Sequence, residues 1–333
     1  MGLKILSLVD KHFYKYNIDR TFFHTLAAIE RHPEVEEVIC TGRDWRNYNS
    51  NITIHENIKK LYKNTREPDL VLVFLKDFEY TGLRELSIPT CIRCNEMYSY
   101  SMEQAIRRSN IKLVICHHRN DMMAYRRKIE LDGIMFENIP HCVDTTIFKN
   151  YNEKKEYDLL LVGNTLKKVY PFRHRLKNII NTSLKHTYKC KILEHPGYRP
   201  RGKFDTRKHR VLEEFSREIN KAKITLTCSS LYKYALTKYM EIPLSNSLIA
   251  ADTPNERKSF FKSYVLELNP NSSDQSIKNK LIYFLNNNDE RQKLIDKGNL
   301  IISSKRNLNV YADKFVSIVK KFLKVSRYRI ESL

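Results

Sequence analysis

The stretch Leu236–Glu256, LTKYMEIPLSNSLIAADTPNE, decides how the rest of the chain is read. Its first part sets Lys238 and Glu241 three residues apart, which makes them neighbours on one face of a short helical turn. A loop is expected over Pro243–Ser247. Leu248–Ala251 (LIAA) then gives the short apolar run that a buried parallel strand needs. A second carboxylate, Glu256, lies beyond it. A cation and a carboxylate held beside a strand end suit a ligand that carries both phosphate and a sugar diol. The cation takes the phosphate charge, and the carboxylate accepts hydrogen bonds from two hydroxyls. An ordinary surface ion pair has the same spacing, so the surroundings must decide.

Upstream, short apolar runs alternate with helical patterns. Leu3–Val9 reads as a first buried strand ending at Asp10, and Thr21–His32 as an amphipathic helix stopped by Pro33. Val35–Cys40, Asp69–Leu75, Pro89–Arg93 and Lys112–Cys116 supply further strands, with helical segments between them. A charged stretch, NYNEKKEYD, marks a domain boundary. A second alternation follows it: strand Leu159–Val162, a loop at Gly163-Asn164-Thr165, helix Phe172–Asn181, strand Cys190–Leu193 and a basic loop around Tyr198–Arg210. Helix Val211–Lys221, strand Ile224–Cys228, two helices over Ser276–Asn287 and Glu290–Ile302, and a long helix Asn309–Arg329 complete the chain. The last carries an apolar stripe at Val310, Phe315, Ile318, Val319 and Phe322. Strands alternating with helices at this spacing describe two α/β, Rossmann-like doubly wound halves, whose ligands bind beyond strand carboxyl ends. In the first half those ends carry Asp10, Asn95 with Glu96, and His117 with His118.

Composition narrows the class. The chain has 333 residues, enough for two domains, and 41% hydrophobic content with 20 Tyr and 15 Phe excludes a disordered protein. No apolar run approaches a membrane span, and Leu3–Val9 is too short for a signal peptide. Seven cysteines are scattered; Cys91 and Cys94 form a lone C-x-x-C, and buried reduced thiols in a cytoplasmic protein are the expectation. The formal charge of +21 is lopsided. Residues 1–150 hold 22 Lys/Arg against 20 Asp/Glu, and residues 151–333 hold 37 against 18, so +19 lies in the second half. Such a field recruits polyanions: nucleic acid, a phosphorylated or lipid-linked glycan, or an anionic membrane surface touched peripherally. A Lys-rich chain with merely solvated faces has the same composition.

Three segments in order resemble glycosyltransferases of the GT-B fold, in the group that includes the CgeB-like spore and cell-surface enzymes. NIPHCVDTTIFK (Asn138–Lys149) resembles the interdomain IPNGVD-x-x-x-F signature. YDLLLVGNTLKKVYPFRHRLKNI resembles the strand, glycine loop and helix that open the donor domain, with Arg173 at its basic position. TKYMEIPLSNSLIAAD resembles the block that binds the nucleotide sugar, and its Lys238/Glu241 spacing is also similar to that of phage β-glucosyltransferases that modify DNA bases. The sequence departs from these patterns at Cys142 and Asn246, where the patterns have glycine, and at Lys233, where retaining enzymes have the first Glu of an E-x7-E pair.

The resemblance implies two domains facing a cleft: 1–148 for the acceptor, 149–307 for the nucleotide sugar, and a helix 308–333 crossing back to the first. It implies a metal-independent glycosyltransferase, with a UDP-sugar the expected donor, acting in the cytoplasm of a bacterial or virus-infected cell. The donor residues would be Gly163, Asn164, Arg173, Lys238, Tyr239, Glu241 and Glu256. If transfer inverts configuration, a general base should stand at a strand end of the first domain. Glu96 is preferred, with Asp10 second and His118 third. Adjacent histidines on a strand point to opposite faces, so at most one of His117 and His118 can serve. The acceptor is expected to be a glycan or cell-surface polymer precursor, with DNA carrying a hydroxylated base as the alternative. A non-catalytic nucleic-acid-binding protein on a degenerate transferase scaffold is the rival from another class.

Overall fold

The computed structural model describes residues 2–11, 21–74, 80–95, 100–128, 133–195 and 211–331. The described residues of 1–140 and 308–331 form one compact unit, and the described residues from His141 to Asn307 form another.

The first unit is built on a six-stranded, all-parallel sheet in the order β2-β1-β3-β4-β5-β6. The strands are β1 Leu3–Leu8, β2 Val35–Thr41, β3 Leu70–Phe74, β4 Thr90–Cys94, β5 Leu113–Cys116 and β6 Met135–Asn138. Every residue of β1 is buried, as expected of an inner parallel strand covered on both faces. Helices α1 Thr21–Glu30, α2 Ile54–Leu61, α3 Tyr100–Arg108 and α4 Arg119–Lys128 provide the crossovers that parallel strands require. Thr53 and Glu56 close a reciprocal capping box at the start of α2.

The second unit repeats the design with five parallel strands in the order β11-β10-β9-β7-β8. These are β7 Tyr157–Val162, β8 Cys190–Leu193, β9 Ala222–Leu226, β10 Leu248–Ala251 and β11 Leu266–Glu267. Its helices are α5 Pro171–Thr182, α6 Glu213–Asn220, α7 Lys238–Leu244, α8 Lys258–Lys262, α9 Asp274–Asn286 and α10 Asn288–Lys305. In each sheet the chain steps outward from its first strand and then returns on the other side, making a switch point between β1 and β3 and another between β7 and β9.

The last helix, α11 Leu308–Glu331, belongs to the first unit. Tyr311, Ala312, Phe315, Val316, Val319 and Phe322 are its buried face, and it packs on α1. A buried cation fastens it. Arg93 of β4 donates from Nε to His117 Nε2 (2.9 Å) and from Nη1 to Thr25 Oγ1 of α1 (2.6 Å), and its guanidinium lies 5.2 Å from the Tyr311 ring centre. Because His117 Nε2 accepts, the proton sits on Nδ1 and is donated to the Ile139 carbonyl at 2.7 Å.

The structure corrects several local expectations. Pro243, expected in a loop, lies inside the last turn of α7. Proline there cannot donate to the Tyr239 carbonyl, and the Tyr264 hydroxyl donates to it instead at 3.0 Å. Asn246 adopts φ 54°, a left-handed conformation that glycine or asparagine supplies, so the missing glycine has a working substitute. Cys91 and Cys94 are both buried in β4 and, three apart, point to opposite faces, which denies them a shared metal. The charged stretch before β7 is pinned: Lys155 Nζ donates to the carbonyls of Asn220, Ala222 and Asn246 at 2.7, 3.0 and 2.5 Å. Among the described residues no helix is long and apolar enough to cross a membrane.

Candidate donor site

The site grows out of the β7/β9 switch point. β7 ends in Val162, and the chain turns at Gly163 with φ +99°, a conformation that strains any L side chain. A Cβ here would sit 2.8 Å from Arg173 Nη1, 3.1 Å from Arg173 Cζ and 3.1 Å from Lys238 Cε. The glycine, the arginine and the lysine singled out from the sequence are thus brought into contact distance. Glycine is required by both the backbone angle and the crowding.

Arg173 lies in the first turn of α5 and is 1% exposed. Nη1 donates to the Asn164 carbonyl (2.8 Å), while Nη2 donates to Thr227 Oγ1 (2.9 Å) and the Cys228 carbonyl (3.1 Å). One guanidinium therefore ties the loop after β7 to the loop after β9. Strand β9 was expected to run to Cys228, but it ends at Leu226, and Thr227 and Cys228 serve this bridge. The Tyr170 ring stacks over Arg173 at 4.3 Å, and the Leu231 amide donates to the Val169 carbonyl at 2.8 Å, a second tie between the same loops. Asn164 accepts from the Leu166 amide at 2.8 Å and shapes the turn. Arg173 is accordingly a fixed positive charge beneath the turn, with three of its four Nη hydrogens engaged by protein oxygens. Proline opens α5, whose N-terminus has no side-chain cap and no acidic residue in its first turn. The positive end of a helix dipole and a buried guanidinium thus converge at the Gly163 turn, where the absent side chain makes room for Arg173 and Lys238.

Helix α7 supplies the other wall. Lys238 runs its stem past Gly163, with Nζ 5.8 Å from the Phe215 ring. Glu241 is buried and shares the helix face with Lys238. Tyr239 is fully buried; its hydroxyl donates to the Asp252 carbonyl at 2.6 Å, so it supports α7 from behind. Glu256 is also buried and accepts the Ala235 amide at 3.3 Å, which steadies the segment leading into α7.

Asp252 joins these residues although it is not among those expected from the sequence. This buried carboxylate, at the end of β10, accepts from Ser229 N (2.9 Å), Ser229 Oγ (2.5 Å) and Lys233 Nζ (3.0 Å). Lys233, at φ +57°, therefore answers a carboxylate from the neighbouring strand end. The signal was available: an acidic residue directly after a buried apolar run is the feature that singled out Asp10.

In the first unit, Asp10 follows β1 and is half-buried. The neighbouring Val9 carbonyl accepts from Trp45 Nε1 at 2.8 Å. His118 follows β5, is 2% exposed, and its carbonyl accepts the Met122 amide in the first turn of α4. His117 is structural, holding Arg93 as described. Glu96 and the basic loop Tyr198–Arg210 lie outside the described residues.

No protein-family model matches the chain, and no curated protein matches it either. Solved structures do. An α-glucosyltransferase in complex with UDP and a DNA 13-mer containing an HMU base aligns with TM-score 0.64 at 9% identity, covering 96% of this chain and 100% of that one. Sucrose-phosphate synthase from Thermosynechococcus elongatus aligns with TM-score 0.62 at 11% identity, covering 97% and 100%. HepE from Anabaena, in complex with UDP and glucose, gives 0.60 at 11% identity, covering 96% and 100%. The chain has the GT-B fold of nucleotide-sugar glycosyltransferases.

Proposed function

We propose that this protein is a glycosyltransferase that takes a sugar from a UDP-sugar and passes it to a hydroxyl of a glycan or cell-surface polymer precursor, without a metal. The observation that carries this reading is the convergence of Gly163, Arg173 and Lys238 at the switch point of a parallel sheet. A departing nucleoside diphosphate develops negative charge, and a preorganised cation pair beside a helix N-terminus stabilises it without reorganisation. Because Arg173, Lys238 and the start of α5 supply that charge, no metal is needed to neutralise it. In this reading Glu241 accepts hydrogen bonds from the ribose hydroxyls, three residues from Lys238, as the paired recognition of phosphate and diol requires. Two of these similar structures, the α-glucosyltransferase and HepE, hold UDP, which supports uridine as the base. In the first unit Glu96, Asp10 or His118 would take the acceptor proton. The balanced charge of residues 1–150 supports a neutral carbohydrate acceptor there.

A second reading, transfer to a hydroxylated base in DNA, is favoured by the +19 carried on residues 151–333 and by the DNA in the aligned α-glucosyltransferase. Radiolabelled UDP-glucose, UDP-galactose and UDP-N-acetylglucosamine, offered in EDTA with either a glycan array or 5-hydroxymethyl-pyrimidine DNA, separate the two. Label in glycan supports the first and label in DNA the second. No transfer and no hydrolysis with any donor would leave only a binding protein.

A further inference from the structure

Beyond the carboxyl ends of β10 and β11 the second unit has a solvent-open pocket of about 510 Å³, within the range of small-molecule sites. Three amines line it: Lys233 from the loop before α7, Lys258 from α8 and Lys280 from α9. Its carboxylates are already engaged. Asp252 holds Ser229 and Lys233, and Glu267 pairs with Lys262 at 3.4 Å. Lys280 donates to the Glu267 carbonyl at 2.6 Å, and among the described residues Lys258 has no ion-pair partner. The lining thus holds uncompensated positive charge. A second observation is independent of charge. Thr253 also lines the cavity, is 8% exposed, and its Oγ1 is buried without a hydrogen-bond partner among the described residues. A buried hydroxyl left unpaired is destabilising, and a ligand that bonds to it relieves that. Asn255, Asn269 and Asn271 add amide donors and acceptors around the rest of the wall.

An occupant of this pocket must be small, rich in hydroxyls and negatively charged. We propose that it binds an anionic sugar, a sugar bearing a phosphate or a carboxylate. Two sources share that chemistry: a free sugar phosphate, or the glycosyl unit of a UDP-uronate donor. The second source rests on the function proposed above. The wall is continuous with the donor site through Lys233, Asp252 and the Tyr239 hydroxyl, which leads into α7 and so to Lys238 and Glu241. A ligand that draws Lys233 away from Asp252 acts on the helix that carries the donor residues.

The test is calorimetric titration of the full chain and of a Lys258→Ala/Lys280→Ala double variant, both positions being exposed. The ligands are glucose 6-phosphate, UDP-glucuronate, UDP-glucose, UDP and inorganic phosphate. At least one anionic sugar should bind the wild type and lose about tenfold in affinity in the variant, from loss of charge-assisted hydrogen bonds, while UDP affinity is unchanged. Glucose 6-phosphate binding with UDP saturating identifies a free sugar phosphate. UDP-glucuronate binding tighter than UDP-glucose, with the gap closed in the variant, identifies the donor's own sugar. Equal affinities in the two proteins for every anionic sugar would overturn the proposal. So would inorganic phosphate binding as tightly as glucose 6-phosphate, which would reveal an adventitious ion only. Failure of UDP alone to bind would count against the proposed function and leave the free-ligand arm standing.

Discussion

Replacing Gly163 by alanine tests the geometry of the proposed donor site with a single methyl group. Two costs add. At φ +99° an L-residue is strained by about 1–3 kcal/mol. The new Cβ would also lie 2.8 Å from Arg173 Nη1, well inside a normal contact, so the guanidinium must move by several tenths of an ångström. It cannot move freely, because three hydrogen bonds at 2.8–3.1 Å fix it to Asn164, Thr227 and Cys228. Losing one charge-assisted bond adds about 1.5–3 kcal/mol. The expected total is about 2.5–6 kcal/mol, divided between unfolding stability and affinity for a nucleoside diphosphate. Urea unfolding gives the first share and UDP titration the second. A Gly163→Ala protein with wild-type unfolding free energy and wild-type UDP affinity would refute the convergence of Gly163, Arg173 and Lys238.

Other substitutions probe the supports. Tyr264→Phe leaves the buried Tyr239 carbonyl, already denied a donor by Pro243, without a partner; the urea midpoint should fall by the equivalent of about 1–2 kcal/mol, and an unchanged midpoint would show that this bond contributes nothing. Burial, reinforced by the nearby Arg291 charge, pulls the Lys155 pKa down from 10.5 to about 8. Between those values the unfolded chain binds more protons, so stability linked to Lys155 should rise with pH from about 8 to 10.5, and Lys155→Met should remove that slope from the unfolding curves. Arg93→Met deprives His117 and Thr25 of their shared donor and Tyr311 of its cation. Amide exchange in α11 should then quicken before exchange in β1 does; equal protection in both would argue that Arg93 does not hold the helix.

The architecture was legible because its signals are local. Cys190–Leu193 and Leu248–Ala251 were read to the residue, since turn residues bracket short apolar runs. β6, MFEN, and the two-residue β11 escaped notice because edge strands this short and polar carry no periodicity. The capping-box pair Thr53 and Glu56 marks the start of α2 in the sequence itself. Lys238 with Glu241 is recognisable by spacing, and Gly163 with Arg173 by resemblance to the strand, glycine loop and helix that open a GT-B donor domain. That the two pairs meet was not legible, because a fold and not a spacing places Lys238 Cε beside Gly163. The Asp252 network and the Arg93–His117–Tyr311 cluster are likewise made through space, from segments with no sequence relation to one another. His117 and His118 show the limit most plainly: both follow one strand, and only the structure shows His117 committed through both ring nitrogens.

The most direct test of the account is calorimetric titration of UDP into the wild-type protein and Glu241→Ala, both in EDTA. Saturable one-to-one binding by the wild type is predicted, weakened at least about tenfold in the variant through the loss of hydrogen bonds to a carboxylate, with far-UV circular dichroism unchanged. Wild-type protein that takes up no UDP, or a Glu241→Ala variant that binds it equally well, would contradict the assignment of the β7/β9 switch point as the donor site.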